Sequence, residues 1–126
     1  MPKTHVAERL GDVTDWSGEV LRKEILESIG IGCKVRVCIT NVEKNSAEAV
    51  YLKVTKVKDG TIWGTVEPTY RMGTDWIDVE DGKTFSVRRN EISEVPIDWQ
   101  PKWFQRKVSK WTNVPLKKGY SVTGLR

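Results

Sequence analysis

The sequence predicts an α+β protein that is mostly β: a small barrel of five to six antiparallel strands, with a helix before it and a basic, amphipathic helix after it. Three observations support this class. Short segments alternate apolar and polar residues, two Asp-Gly pairs separate such segments, and helical spacing of apolar residues is confined to regions near the two ends. At 126 residues the chain has the size of one domain, which buries a core without a disulfide or a metal.

The N-terminal helix is predicted within DWSGEVLRKEILESIGIG, residues 15–32. Its apolar residues recur with helical spacing at Leu21, Ile25 and Ile29. Asp15 or Ser17 can accept hydrogen bonds from the first free amides, and Gly30 suits the left-handed position that ends a helix. We expect about twelve to fourteen helical residues here, after a weakly structured segment at residues 1–14.

Strands are expected directly after this helix. CKVRVCITNV (33–42) and AEAVYLKVTKV (47–57) alternate with the period of half-buried strands, Asp59-Gly60 is a hairpin turn, and TIWGTVEP (61–68) is the returning strand. Gly64 in mid-strand indicates a bulge or a bend. The segments DWIDVEDG and KTFSVRR predict further strand structure around a turn at Asp81-Gly82. After them, NEIS predicts a single 3₁₀ turn and EVPI predicts a short last strand.

The C-terminal helix is predicted from Pro101 to a point near Asn113, within a single barrel domain that spans residues 15–112. A helical projection places the apolar side chains in one arc and several basic ones opposite it. The apolar arc contains Phe104, Val108 and Trp111, and the opposite arc contains Lys102, Arg106 and Lys110. Trp103 lies at the border, with Lys107 close to the apolar arc, and residues 113–126 form a basic tail.

Charge is distributed unevenly along the chain. From Trp99 to Arg126 there are seven Lys and Arg and no acidic residue, whereas the first 98 residues carry fourteen basic and seventeen acidic residues, or −3. Such asymmetry favours an anionic partner, with nucleic acid ahead of a membrane surface; the alternative is a basic face that only solvates a helix. No apolar run is long enough to span a bilayer and the N-terminus lacks a signal-peptide core, so we expect a cytoplasmic protein for which a membrane partner is disfavoured.

The strand region resembles a known class of small barrels. Short strands joined by Asp-Gly turns, with a 3₁₀ turn before the last strand, resemble an SH3-like or Tudor-like barrel over residues 49–95. Within this range, VYLKVTKVKDGTIWGTVEP followed by DGKTFSVRRNEISEV is similar to a bacterial family of uncharacterised small proteins. The resemblance implies a barrel fold and a binding role, and it implies no catalytic residues.

The residue types that catalysis needs are scarce. His5 is the only histidine and lies near the N-terminus. Cys33 and Cys38 are five positions apart on a predicted strand, so their side chains point to opposite faces. They fit best as reduced cysteines that pack in the fold. Asp78 and Glu80 share a strand face, which fits a solvated edge better than a cation site. We therefore expect a non-enzymatic protein without a cofactor or a metal site.

Two binding hypotheses remain open. The first is a nucleic-acid-binding module that uses Lys102, Trp103, Arg106, Lys107, Lys110, Lys117 and Lys118, with cations on phosphates and an indole on exposed bases. The second is a protein-interaction module, such as a small inhibitor, immunity or phage-type accessory protein, that binds through the barrel groove or an edge strand. Its candidate residues are Tyr51, Trp63, Tyr70, Arg71, Trp76, Arg88 and Arg89. The sequence indicates no particular oligomeric state.

Overall fold

The computed structural model describes residues 4–43, 45–67 and 82–111. In these ranges five antiparallel strands form a nearly closed barrel accompanied by two helices, which confirms the mostly β, α+β class and is compatible with a small SH3-like barrel. The strands are β1 (Thr4–Val6), β2 (Lys34–Asn41), β3 (Ser46–Lys58), β4 (Thr61–Val66) and β5 (Thr84–Arg88). The helices are α1 (Lys23–Glu27) and α2 (Lys102–Val108), and 3₁₀ turns occupy Arg89–Glu91 and Ile97–Trp99.

The core lies inside the barrel, as the alternating pattern of the strands predicts. The strands pair in sequence order, and β1 returns against β5. Every second residue of β2 and β4 is buried, because successive side chains of a strand point to opposite faces. The fully buried aliphatic side chains of the strands are Val35, Val37, Ile39, Val50, Leu52, Val54, Ile62, Val66 and Val87. Ile25 and Ile29 from the α1 region and Phe104 and Val108 from α2 complete this core.

The hairpin between β3 and β4 follows its sequence signals. Asp59 and Gly60 both have positive φ, +49° and +83°, which is the conformation that a two-residue hairpin turn of Asp-Gly adopts. The pairing of β3 with β4 shifts register between Val54 and Lys56, opposite Gly64. The bulge that Gly64 indicates is therefore confirmed.

The chain before α1 forms a turn, and the helix is shorter than predicted. The Asp15 carboxylate accepts hydrogen bonds from the backbone N–H groups of Ser17 (2.8 Å) and Glu19 (3.0 Å), while Thr14 bridges to Val20 in an antiparallel pair. Asp15 thus caps a tight turn, and α1 contains only five residues. An aspartate that accepts backbone hydrogen bonds stabilises such a turn as well as it begins a helix.

Gly30 does not adopt the left-handed conformation predicted for it. The glycine with a positive φ in this region is Gly32, at +94°. Gly30 instead lies beneath the indole of Trp103, whose Cη2 atom is 3.1 Å from the position that a Cβ of Gly30 would occupy. The small size of Gly30 therefore serves a contact with α2.

The segment after β5 closes the barrel on the side of β2. The 3₁₀ turn at Arg89–Glu91 confirms the turn predicted there, but the short last strand is reduced to bridges of Glu94 with Thr14 and Arg36. Backbone hydrogen bonds tie this segment to both neighbours, from Arg36 N–H to the Glu94 carbonyl (2.9 Å) and from Val95 N–H to the Thr14 carbonyl (2.9 Å). At the other end, β1 lies within residues 1–14, for which no element was predicted.

Some predictions fall on residues that the structure does not describe. These are most of the DWIDVEDG strand segment and the basic tail at residues 113–126. In the described part of the chain, no helix is both long enough and apolar enough to cross a membrane.

Candidate functional site

Helix α2 is held on the barrel by its apolar residues and by one amide side chain. Phe104 and Val108 are fully buried, as their shared arc predicts. Just before the helix, the Gln100 side chain accepts a hydrogen bond from Lys34 N–H (2.7 Å) and donates to the carbonyls of Lys34 (2.9 Å) and Pro96 (2.7 Å). A helix of seven residues is too short to be stable alone, so these contacts define its position and orientation.

The outer face of α2 and the turn after it is basic and lacks ion pairs. The exposed basic side chains are Lys102, Arg106, Lys107 and Lys110. Among the described residues, the ion pairs join Arg22 to Glu24, Lys23 to Glu27 and Lys34 to Glu67, and none involves these four cations. Lys110 places its ammonium 4.5 Å from the ring centroid of Trp111. We call Lys102, Trp103, Arg106, Lys107 and Lys110 the α2 face.

Trp103 is held firmly and remains partly open to solvent. One end of its indole lies against Gly30, and its ring meets the ring of Phe104 edge to face, with centroids 5.8 Å apart. The residue is nevertheless 37% exposed, beside basic residues of the same helix. An aromatic ring that its neighbours hold in place loses little conformational freedom on binding, so it is suited to stacking against a flat ligand.

Arg89 lies in a different environment from the α2 face. Its guanidinium donates hydrogen bonds to the backbone carbonyls of Leu26 and Ile29, at the end of α1, and burial lowers the pKa of Arg89 from its usual value. An arginine remains charged despite such a shift and stabilises the carbonyl end of a helix. These contacts account for the position of Arg89, and its role in partner binding stays a prediction.

The two cysteines differ in environment but are both free thiols. Cys33 is completely buried, and desolvation raises the pKa of its thiol from 9.0 to about 11, against smaller opposing effects of the Gly30 amide and nearby cations. Cys38 is half-buried on the outer side of β2. A thiol with a raised pKa carries almost no thiolate at neutral pH, so Cys33 is a packing residue and not a nucleophile.

Tyr51, Trp63 and Arg88 occupy outward positions on the barrel. The Tyr51 hydroxyl donates a 2.8 Å hydrogen bond to the Glu94 carboxylate. Trp63 is half-buried beneath the ammonium of Lys56, which lies 4.7 Å from the ring centroid, whereas Arg88 is exposed. The structure therefore separates Trp63 and Arg88, on β4 and β5, from Tyr51 on β3 near Glu94.

An aromatic cluster next to Tyr51 was not predicted from the sequence. The ring of Trp99 lies 4.9 Å from that of Tyr51 and 4.5 Å from that of Trp16, measured between centroids. Trp16 is 50% exposed. Both tryptophans lie outside the strands, and this location is the one sequence signal that could have drawn attention to them. Their proximity to each other depends on the tertiary fold, which brings distant parts of the chain together.

The remaining candidate residues lie outside the described part of the chain. They are Tyr70, Arg71, Trp76, Lys117 and Lys118. Within the described ranges, no group of three His, Cys, Asp or Glu residues could hold a metal ion. His5 is exposed, with its ring beside the Thr40 hydroxyl at 3.1 Å.

Comparison with known proteins adds no relative to this description. No protein-family model matches the chain, no curated protein is significantly similar to it, and no solved structure matches it. The structure is thus compatible with the barrel fold that residues 49–95 predict, but no comparison supports their similarity to a bacterial family. The function is therefore inferred from the chemistry of the described surfaces.

Proposed function

We propose that this protein is a non-enzymatic binding module, built on an SH3-like barrel, whose α2 face contacts nucleic acid. The observation that supports this most directly is Trp103: its ring is held by Gly30 and Phe104, is partly exposed, and lies on a helix whose neighbouring cations have no ion-pair partner among the described residues. A helix that only needed solvation would gain nothing from a large, half-exposed ring at this position.

The two residue types of the α2 face serve two parts of a nucleic acid. Lys102, Arg106, Lys107 and Lys110 can neutralise phosphates and release counterions, while Trp103 can stack on an unpaired base, which contributes about 1–3 kcal/mol. If all four cations contact phosphates of a single strand, log K falls with log salt with a slope of roughly −3. Both contributions act without base-specific hydrogen bonds, so we expect weak sequence preference.

Salt-dependent binding of labelled random oligonucleotides tests this function. We expect wild-type affinity to fall steeply with salt, and the charge-reversed variant Lys102→Glu/Arg106→Glu/Lys107→Glu/Lys110→Glu to lose binding. Two double variants give a matched comparison. Lys102→Glu/Arg106→Glu changes the α2 face, and its control, Arg22→Glu/Lys23→Glu, changes the net charge by the same amount at α1. Equal binding by the quadruple variant and wild type would refute the proposal.

A protein partner is the second candidate, and the exposure of Trp16 favours it. Large apolar side chains are exposed close together in the chain at Leu10 (88%), Trp16 (50%) and Val20 (61%). Trp16 is the largest of these side chains, and a partly exposed tryptophan is the kind of aromatic anchor that dominates interface energies.

The protein-partner candidate makes a different prediction about salt. Binding anchored by Trp16 should survive high salt and should be lost in Trp16→Ala. A pull-down from cell extract at low and high salt, with wild type and Trp16→Ala side by side, measures this. Retention of one partner at high salt by wild type alone would favour the protein-interaction function over the nucleic-acid one.

A further inference from the structure

A second basic surface lies on the outer face of β3, β4 and β5. The register aligns three rows across these strands, and their members are Lys53, Thr65 and Thr84; Lys56, Trp63 and Ser86; and Lys58, Thr61 and Arg88. The residues that alternate with them on β4 and β5, such as Ile62, Val66 and Val87, are buried in the core. The three rows therefore point away from the core, and we call them the sheet face.

The three rows of the sheet face contain four cations and no carboxylate. Its cations are Lys53, Lys56, Lys58 and Arg88, all exposed, and no ion pair among the described residues includes any of them. Residues 50–58, 61–66 and 84–88 contain no Asp or Glu. Carboxylates near the rows in sequence are Asp59 in the turn, Glu67 after β4, which pairs with Lys34, and Glu91 after β5, which accepts a hydrogen bond from the Arg88 backbone N–H. A sheet surface that merely needed to be soluble would mix both signs of charge.

Trp63 lies in the middle row of this surface, between Lys56 and Ser86. It is the one aromatic residue in the three rows and is half-buried, and its other neighbours along β4 and across on β5 are Thr61, Thr65 and Ser86, whose side chains are short. In the free protein the Lys56 ammonium lies over the ring at 4.7 Å. A long, exposed lysine can leave that position for a phosphate when a base takes its place on the ring.

We propose that the sheet face binds single-stranded nucleic acid, with an unpaired base on Trp63 and phosphates on Lys53, Lys58 and Arg88. The inference rests on the proposed function, which it extends to a second surface and narrows to one substrate class. A duplex fits this surface less well, because its bases are already stacked and because three adjacent strands form a broad surface, whereas the major groove admits a helix or a two-stranded ribbon. A lipid surface would require more apolar residues than Trp63 alone.

Two matched variants test the sheet face. Lys58→Gln/Arg88→Gln removes two of its charges, and Arg22→Gln/Lys23→Gln removes two charges at α1. All four side chains are exposed, so both proteins should fold; far-UV circular dichroism checks this. We expect the first variant to reduce the salt slope of single-strand binding by about 1.4, at about 0.7 per phosphate contact, and the second to leave the slope unchanged. Binding is measured by anisotropy with random single-stranded and duplex oligonucleotides.

Substitutions at Trp63 test stacking separately from charge. Trp63→Phe retains an aromatic ring and should weaken single-strand binding only slightly, whereas Trp63→Leu should weaken it by about 5- to 150-fold. Duplex binding should respond much less to Trp63→Leu. Equal losses for single strands and duplex would overturn the substrate class.

The outcomes separate this inference from the proposed function. If charge reversal on the α2 face abolishes binding while Lys58→Gln/Arg88→Gln behaves like the α1 control, the sheet-face inference is wrong and the proposed function stands. If neither surface affects binding, both are wrong. A variant of the sheet face that loses an acidic protein partner but keeps nucleic-acid affinity would also overturn the inference.

Discussion

Gly64 is the position at which the structure makes the sharpest prediction about stability. It is buried in β4, opposite the register shift of β3, and a Cβ added there would lie 2.9 Å from the Leu52 Cβ and 2.9 Å from the Lys53 carbonyl oxygen. Favourable contacts between non-bonded carbon atoms begin near 3.5 Å. Neither obstructing atom can rotate away, so Gly64→Ala forces β3 and β4 apart.

The cost of Gly64→Ala follows from two opposing effects. Overpacking of a well-filled core costs about 1–3 kcal/mol, and two contacts with atoms at or next to the backbone put this case in the upper half of that range. Replacing glycine restricts the unfolded chain, which offsets about 0.4–1 kcal/mol. We therefore expect the free energy of unfolding to fall by about 1–2.5 kcal/mol in Gly64→Ala.

Urea unfolding followed by far-UV circular dichroism measures this difference. Gly60→Asn is the matched control, because Gly60 has a φ of +83° with no atom within 4 Å of an added Cβ, and asparagine adopts this conformation readily. We expect the control to change stability by less than about 1 kcal/mol. An unfolding free energy of Gly64→Ala equal to or above that of wild type would show that β3 and β4 are not in the close contact described.

Two further predictions concern buried polar chemistry. Because the pKa of the Cys33 thiol is raised in the folded protein, the unfolded chain loses this proton at a lower pH. The free energy of unfolding should therefore fall by up to about 2–3 kcal/mol as the pH rises from 9 to about 11. In urea unfolding, Cys33→Ala should remove this part of the pH dependence. Gln100→Leu leaves the N–H and carbonyl of Lys34 without their described partners and should cost about 1–3 kcal/mol in the same measurement. Gln105→Leu, which loses one bond to the Gln100 carbonyl, should cost less, and equal losses would contradict the special role of Gln100.

Local patterns predict those parts of the fold that depend on local physics. The alternation of β2, β3 and β4 follows from one buried face per strand, the Asp59-Gly60 turn from its positive φ values, and the apolar arc of α2 from helical spacing. Gly64 also indicates its bulge, because a glycine in mid-strand weakens the strand and is typical of a bulge or a close backbone approach.

The errors arise where one local signal serves two structures. The Asp15 side chain accepts backbone hydrogen bonds from the following residues in a turn as it would at the start of a helix, so its presence cannot distinguish them. β1 has three residues, too few for a period to be recognised, and it is defined by its pairing with β2. Its place in the sheet therefore depends on residues more than thirty positions away.

The candidate site likewise combines features that the sequence predicts with features that only the tertiary fold produces. The positive charge of residues 102–110 is visible in the sequence, but the exposure of Trp103 depends on a contact with Gly30, 73 positions earlier in the chain. Glycine favours helix ends, so the sequence predicts one at Gly30, whereas the observed role of this residue is to leave room for an indole. The proximity of Trp16 to Trp99 is likewise produced by the tertiary fold.

The bulge in β3 connects the two proposed binding surfaces. Gly32 N–H donates to the Val54 carbonyl and Val54 N–H to the Cys33 carbonyl, each at 2.8 Å, so the loop that supports Trp103 is anchored at the residue where the register shifts. Beyond Val54, the same strand carries Lys56 to the sheet face. Since one strand anchors the loop beneath Trp103 and presents Lys56, a change that separates β3 from β4 should disturb both surfaces, whereas charge substitutions should affect each alone.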